Sequence, residues 1–185
     1  KYPSVMNNDQ LSGYRATKYL IELGHKRIAH IAGLLDVINS KKRLQGYKKA
    51  LNESDLSYKE DWVLKGDYTH ESGYLQMKKL LNSSQVPTAI FAANDLMAVG
   101  ACDAVFEEGL NVPEDVSIIG HDDINIASTV RPKLTTIRQP KYKLGQFAVE
   151  LLIEEIKSER ICTNEDIVLD PELVVRETTK KWEGE

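Results

Sequence analysis

Cysteine is scarce in this 185-residue chain: Cys102 and Cys162 are the only two, far apart and each inside an element-like segment. That usage argues against a disulfide scaffold and points to a reducing compartment. An excess of positive charge is also missing. Lysine and arginine number 24 against 28 aspartates and glutamates, a formal net charge of -4. Such a balance offers no attractive field to a phosphate backbone. No Lys/Arg cluster or helix-turn-helix pattern supplies one locally, so this chain alone is not expected to bind nucleic acid. No apolar run approaches membrane-spanning length. KYPSVMNN at the start holds no apolar signal-peptide core, although processing removes such segments in many proteins. Internal repeats and low-complexity linkers do not occur. G-x-S-x-G, the P-loop and the dinucleotide glycine fingerprint are absent too. His25, His30, His70 and His121 show no ligand spacing with each other or with either cysteine, so no zinc site and no cofactor are expected.

What is present is an alternation. Apolar residues make up 42% of the chain and charged ones 28%, the balance of a globular domain with a substantial core. SVM (4–6) is strand-like. From Gln10 to Leu23, Gly13, Ala16, Leu20 and Leu23 follow helical spacing, and Gly24 stands where a helix stops. RIAHIAG (27–33) reads as a strand and Ser40 to Leu51 as a helix. WVLKGDY (62–68) is a third strand and ESGYLQMKKLL (71–81) a third helix. TAIFAA (88–93) is a continuous apolar run of the kind buried on both sides of a parallel sheet. A helix follows from Asp95 to Gly109, then strands at VSIIG (116–120) and LTTI (134–137), a helix from Tyr142 to Lys157, and extended DIVLDPELVVRET. Strands separated by helices predict an α/β fold, a parallel sheet with helices on both faces.

Ligands of such sheets bind beyond the carboxyl ends of the strands. Asn39 and Arg43 follow the second strand, Tyr68 ends the third, Asn94 and Asp95 end the fourth, and Asp122 and Asp123 the fifth. Two adjacent acids at a strand tip serve acid/base chemistry, a metal, or the grip on a polar ligand. A hydroxyl-rich ligand fits best: carboxylate accepts, arginine donates, asparagine does both, and the Tyr68 ring covers an apolar sugar face. The competing structural reading makes Asp122 or Asp123 a cap, Asp95 a helix start and Arg43 a surface ion pair. Asp123 and Asp95 are kept under that structural reading. His25 is read as satisfying carbonyls at a helix end and His30 as a packed core residue.

ELGHKRIAHIAG (22–33), RLQGYKKAL (43–51), GDYTHESGY (66–74), PTAIFAANDLMAVGA (87–101), GLNVPEDVSIIGHDDI (109–124) and PKLTTIRQP (132–140) occur in the order found in LacI/GalR-type bacterial transcription regulators. The chain resembles that family over nearly its whole length. VPEDVSIIGHDD with LTTIRQP is more specific to the regulators than to the related periplasmic sugar-binding proteins. The resemblance implies a type I periplasmic-binding-protein fold, two lobes closing on an effector, and a separate headpiece that binds operator DNA. It implies no enzyme activity. Arg43 and Asp122 look like the principal effector-binding residues, with Asn94, Tyr68, Asn39 and Gln139 similar to secondary contacts. One departure is His121, where members often carry Tyr or Phe; it sets a pH-sensitive group beside the pocket.

By the same resemblance the headpiece and most of the first lobe lie outside this chain. Residues 1–138 and 166–179 are expected to form the C-terminal lobe, and 139–160 a crossover and helix that belong with the other lobe. Leu144, Phe147, Ala148, Leu151, Leu152 and Ile156 make a stripe that expects a partner; the alternative is a core helix of a self-contained domain. A cytoplasmic homodimer is implied, joined in part through helices starting near Glu71 and Asp95, with operator DNA bound only through the headpiece and no membrane. The alternative reading is a periplasmic sugar receptor of a transport system.

Overall fold

The computed structural model describes residues 3–157 and 166–184; Cys162 and the last residues of the expected crossover segment lie outside them. In chain order the elements are β1 (Val5–Asn7), α1 (Asp9–Glu22), β2 (Ile28–Ala32), α2 (Ile38–Asn52), β3 (Val63–Lys65), α3 (His70–Leu81), β4 (Ala89–Ala92) and α4 (Asp95–Glu107). Then come β5 (Ser117–Asp122), α5 (Asn125–Thr129), β6 (Thr135–Arg138), α6 (Lys141–Lys157), β7 (Ile167–Leu169) and β8 (Glu172–Val174). Six strands form the central sheet in the order β3-β2-β4-β5-β6-β8. All neighbours are parallel except β8, which joins β6 antiparallel at the edge. IAHIA of β2 and AIFA of β4 are buried at every residue, as expected of strands covered on both faces.

α1 and α2 cover one face, with Ala16, Leu20, Tyr47 and Leu51 packing on Ile28, Phe91 and Ile119. α3 and α4 cover the other, where Met77, Leu80 and Met97 meet Ile31, Ile90 and Ile118. Local signals set the helix ends. The side chains of Asn8, Thr69 and Asn94 accept backbone N–H groups of Leu11, Ser72 and Met97, and so cap α1, α3 and α4. Gly24 and Gly109 follow α1 and α4 with positive φ, the stops read from the sequence. α1 and α2 cross backbone to backbone. A Cβ on Gly13 would stand 2.0 Å from the Arg43 carbonyl oxygen, and one on Gly46 2.0 Å from that of Gln10. That crossing fixes where Arg43 lies.

The chain leaves β2 for β3 on one side and returns to β4 on the other, so the loops after β2 and β4 diverge and open a crevice at the carboxyl edge.

Three features differ from the sequence-based expectation. β1 is not in the main sheet: it pairs with β7 in a separate two-stranded ribbon. Val5–Asn7 and Ile167–Leu169, both within the stretches 1–138 and 166–179 expected to form the C-terminal lobe, make up that ribbon, beside which α6 lies. The tail beyond 179 stays on the lobe, because Trp182 N–H donates to the Leu23 carbonyl at 2.7 Å. β5 continues past Gly120 through His121 to Asp122, and the five-residue α5, too short to leave a periodic signal, follows it. α6 has no buried residue. Val149, Leu152 and Ile156 are 56%, 59% and 76% exposed.

Candidate ligand-binding site

Asp122 and Asp123, the two acids at the tip of β5, have separate roles because the backbone turns sharply between them. Both have positive φ, 109° and 50°, a conformation that costs a non-glycine residue about 1–3 kcal/mol and is kept only where surroundings enforce it. Asp123 is the enforced one. Its carboxylate takes Arg138 Nε at 2.7 Å and Arg176 Nη2 at 2.6 Å, locking the turn to β6 and the C-terminal tail. Those two donors outweigh burial and hold its carboxyl below the ordinary range. It caps no helix. Asp122 turns the other way. Its Oδ1 accepts from His121 Nδ1 at 2.7 Å and from Gln139 Nε2, whereas Oδ2 takes no hydrogen bond among the described residues. Burial pushes its pKa up. The His121 hydrogen bond, the charge of Arg43 and the Gln139 hydrogen bond overcome that and keep it ionised.

Arg43 does not make the surface ion pair that the structural reading allowed. It is 5% exposed, with Nε donating to Asp9 Oδ1 at 2.7 Å and Nη1 to the Ala93 carbonyl at 2.6 Å. Nη2 donates to nothing among the described residues. Asn94 caps α4 through Oδ1 and donates Nδ2 to the Tyr68 carbonyl at 2.8 Å, so one amide ties the ends of β3 and β4 together. Tyr68, at φ 71°, lays its ring over Gly33, where a Cβ would stand 2.3 Å from the ring, and its hydroxyl bonds Ser40 Oγ. Gln139 joins Asp122 to Asn7, whose Nδ2 donates to Gln139 Oε1. Arg43, Asn94, Tyr68, Asp122 and Gln139 therefore gather at one edge. Asn39 does not join them: it is exposed in the first turn of α2 and makes no hydrogen bond among the described residues.

Three participants escaped the sequence reading. Asp9 neutralises Arg43, Ser40 holds Tyr68, and Asn7 reaches Gln139 from the ribbon. The run Asn7-Asn8-Asp9 before an apolar helix was the available signal for a cap, but not for an ion pair 34 residues away. Asp95 proves more than a helix start. Wholly buried, it accepts Ile124 N–H at 2.8 Å and the Thr136 hydroxyl, and burial raises its pKa to about 7. His25 satisfies a helix-end carbonyl as expected, its N–H donating to Leu20 at 3.1 Å, and its buried ring adds more: Nδ1 meets Thr88 Oγ1 at 3.0 Å and Nε2 Ser117 Oγ at 3.1 Å. His30 is a core residue, stacked on Phe91 and Tyr47.

A doubly covered parallel sheet with a buried arginine, a half-buried carboxylate and a ring at its carboxyl edge defines a ligand-binding α/β lobe. Residues 17–179 match the family described as periplasmic binding protein-like domain. The chain belongs to that family, in the form carried by LacI-type transcriptional regulators. It is 46% identical over 170 residues to the HTH-type transcriptional repressor PurR of Haemophilus influenzae, covering 91% of this chain and 51% of that protein. Against the ribose operon repressor of Haemophilus influenzae the identity is 42%, over 94% of this chain and 52% of the other. The solved complex of the transcriptional regulator CelR with cellobiose superposes at a TM-score of 0.90 with 38% identity, over 96% of this chain and 54% of that one. The chain thus spans about half the length of the curated relatives it matches.

Proposed function

We propose that this chain is the effector-binding part of a LacI-type transcriptional regulator, and that its effector is a sugar or related polyhydroxylated metabolite. The observation that carries the reading is the meeting of a buried guanidinium and a half-buried carboxylate at the carboxyl edge, each with an atom to spare. Arg43 keeps Nη2 and Asp122 keeps Oδ2 free of partners among the described residues. A hydroxylated ring supplies an acceptor for the first and a donor for the second, while Tyr68 covers its apolar face. The likeness to two repressors and to a cellobiose-bound regulator supports a regulator over a transport receptor.

The mechanism is allosteric. An effector held between two lobes favours one lobe arrangement by its differential affinity, and so changes operator binding by a headpiece outside this chain. Residues 139–160 and the ribbon of β1 and β7 go with the second lobe, which covers the bare face of α6. A homodimer forms in part through α3 and α4, where Leu75, Leu96 and Phe106 are 47%, 37% and 39% exposed. Such a regulator works in the bacterial cytoplasm and binds no membrane.

Calorimetry of the full-length protein against pentoses, hexoses, disaccharides and purines tests the reading. A sugar should bind wild type and lose at least about tenfold in affinity in Asp122→Asn. Binding by purines alone, or sugar binding untouched by that substitution, overturns it.

A further inference from the structure

His121 is wholly buried, yet its two ring nitrogens meet different surroundings. Nδ1 lies 2.7 Å from Asp122 Oδ1, whereas Nε2 is buried without a hydrogen-bond partner among the described residues. A neutral imidazole carries one proton. Placed on Nε2, it would be a buried donor lacking an acceptor, a cost of about 1–3 kcal/mol, and the Nδ1 lone pair would face a carboxylate. Placed on Nδ1, it is donated to Asp122. The second arrangement wins on both counts.

The charged groups around the ring are Asp122 on its own strand, Arg43 from α2 and Asp9 from α1, and the Gln139 amide approaches Nδ1 at 3.5 Å. Burial is the largest influence and lowers the pKa of the imidazole, so it stays neutral beside the ionised carboxylate. A donor at this place has a geometric consequence. Asp122 Oδ1 is occupied from two directions, by His121 and Gln139, and the carboxylate can turn only by breaking both bonds. Its other oxygen is left facing away from the ring.

We propose that His121 is a positioning residue for effector binding: its Nδ1–H pins one oxygen of Asp122 so that the other is presented as the acceptor for an effector hydroxyl. This rests on the reading of Asp122 as the carboxylate that grips the effector. A phenyl ring at position 121 fills the same space but offers no donor. Side chains of different reach also separate the two ring nitrogens. Asn carries its amide nitrogen near the place of Nδ1, Gln near that of Nε2.

The test uses the full-length protein. Nitrogen-15 spectra of the histidine rings should show His121 as the neutral Nδ1–H tautomer at pH 7, and an Nε2–H tautomer overturns the proposal even if no variant folds. The Asp122 carboxyl titration, followed by carbon-13, should stay depressed in wild type and His121→Asn and rise by about half a pH unit or more in His121→Gln and His121→Phe. Affinity for ribose and cellobiose should fall about tenfold in the Phe variant and less in the Asn variant. An Asp122 titration indifferent to all three substitutions overturns the proposal and leaves the sugar reading standing. An Asp122→Asn protein that binds both sugars like wild type removes the reading and the proposal together.

Discussion

Asp95 and Ile124 are joined by a hydrogen bond from the Ile124 N–H to Asp95 Oδ2 at 2.8 Å, made by a carboxylate with no exposed surface. Through it the first residue of α4 holds the turn that carries Asp122 and Asp123, and the Thr136 hydroxyl on β6 completes the tie. Burial is the main cause of the raised pKa, from 3.8 to about 7, with Asp122 and Asp123 adding repulsion. The folded chain therefore keeps a proton that the unfolded chain has released, across the window from about pH 4 to about pH 7. Within that window this group's contribution to stability falls as pH rises, and above about 7 the loss is complete. Asn at position 95 can accept from Ile124 N–H and donate to Thr136 without carrying a charge. Urea unfolding of Asp95→Asn against wild type should show a gain for the variant that grows by about 3 kcal/mol between pH 5 and pH 8. A difference that does not change with pH would show that Asp95 is ionised throughout.

Arg43 serves two purposes, and the structure predicts that they separate. Asp9 and Arg43 are both nearly inaccessible, so removing the guanidinium leaves a buried carboxylate without a counter-ion, a loss of about 3–5 kcal/mol. From the sequence alone, Arg43→Ala reads as a loss of effector response in an intact fold; the ion pair with Asp9 makes the fold suffer as well. Asp9→Asn combined with Arg43→Ala should recover a large part of that stability while sugar binding stays lost. Thermal unfolding and calorimetry on the two variants check this. Recovery of binding together with stability would take Arg43 out of the site.

The separation between what was legible and what was not follows interaction range. β2, β4 and the four long sheet-covering helices were readable because apolar spacing and caps are local, and the carboxyl-edge rule then put Arg43, Asn94, Tyr68 and Asp122 on one rim. Partners 30 or more residues apart left no such trace. Asp9 looks like an ordinary first-turn acid until α1 and α2 cross at Gly13 and Gly46. Asn39 lies one turn before Arg43 on the same helix, but in the exposed first turn of α2, a difference in burial that helical spacing alone does not reveal. β1 was a correct strand with an unreadable partner, since three residues of uniformly intermediate burial fit either sheet.

The Tyr68 ring depends on the glycine beneath it. Any Cβ on Gly33 meets the ring at 2.3 Å, and because the contact is with the far end of a side chain, the ring must swing away and leave the backbone in place. Gly33→Ala should thus cost little in stability while weakening sugar affinity by a factor approaching that of Tyr68→Ala, about tenfold. Unaltered affinity in both variants, measured by calorimetry, would mean that the ring covers no part of the ligand.

α6 tests the assignment of the second lobe. Leu152 and Ile156 lie on its exposed side, 59% and 76% accessible, and an apolar stripe of this breadth on a 17-residue helix associates with whatever apolar surface is available. In the 185-residue chain on its own, that surface is another copy. Substituting both residues by Lys should therefore reduce self-association of the isolated chain in light scattering and leave its unfolding midpoint nearly unchanged. In the full-length protein the same pair of charges would be buried against the other lobe, and the expected result is a loss of about 3 kcal/mol or more, seen as a lower unfolding midpoint. Equal behaviour in the two settings would show that α6 stays bare in the complete molecule, and the helix would then belong to the lobe described here.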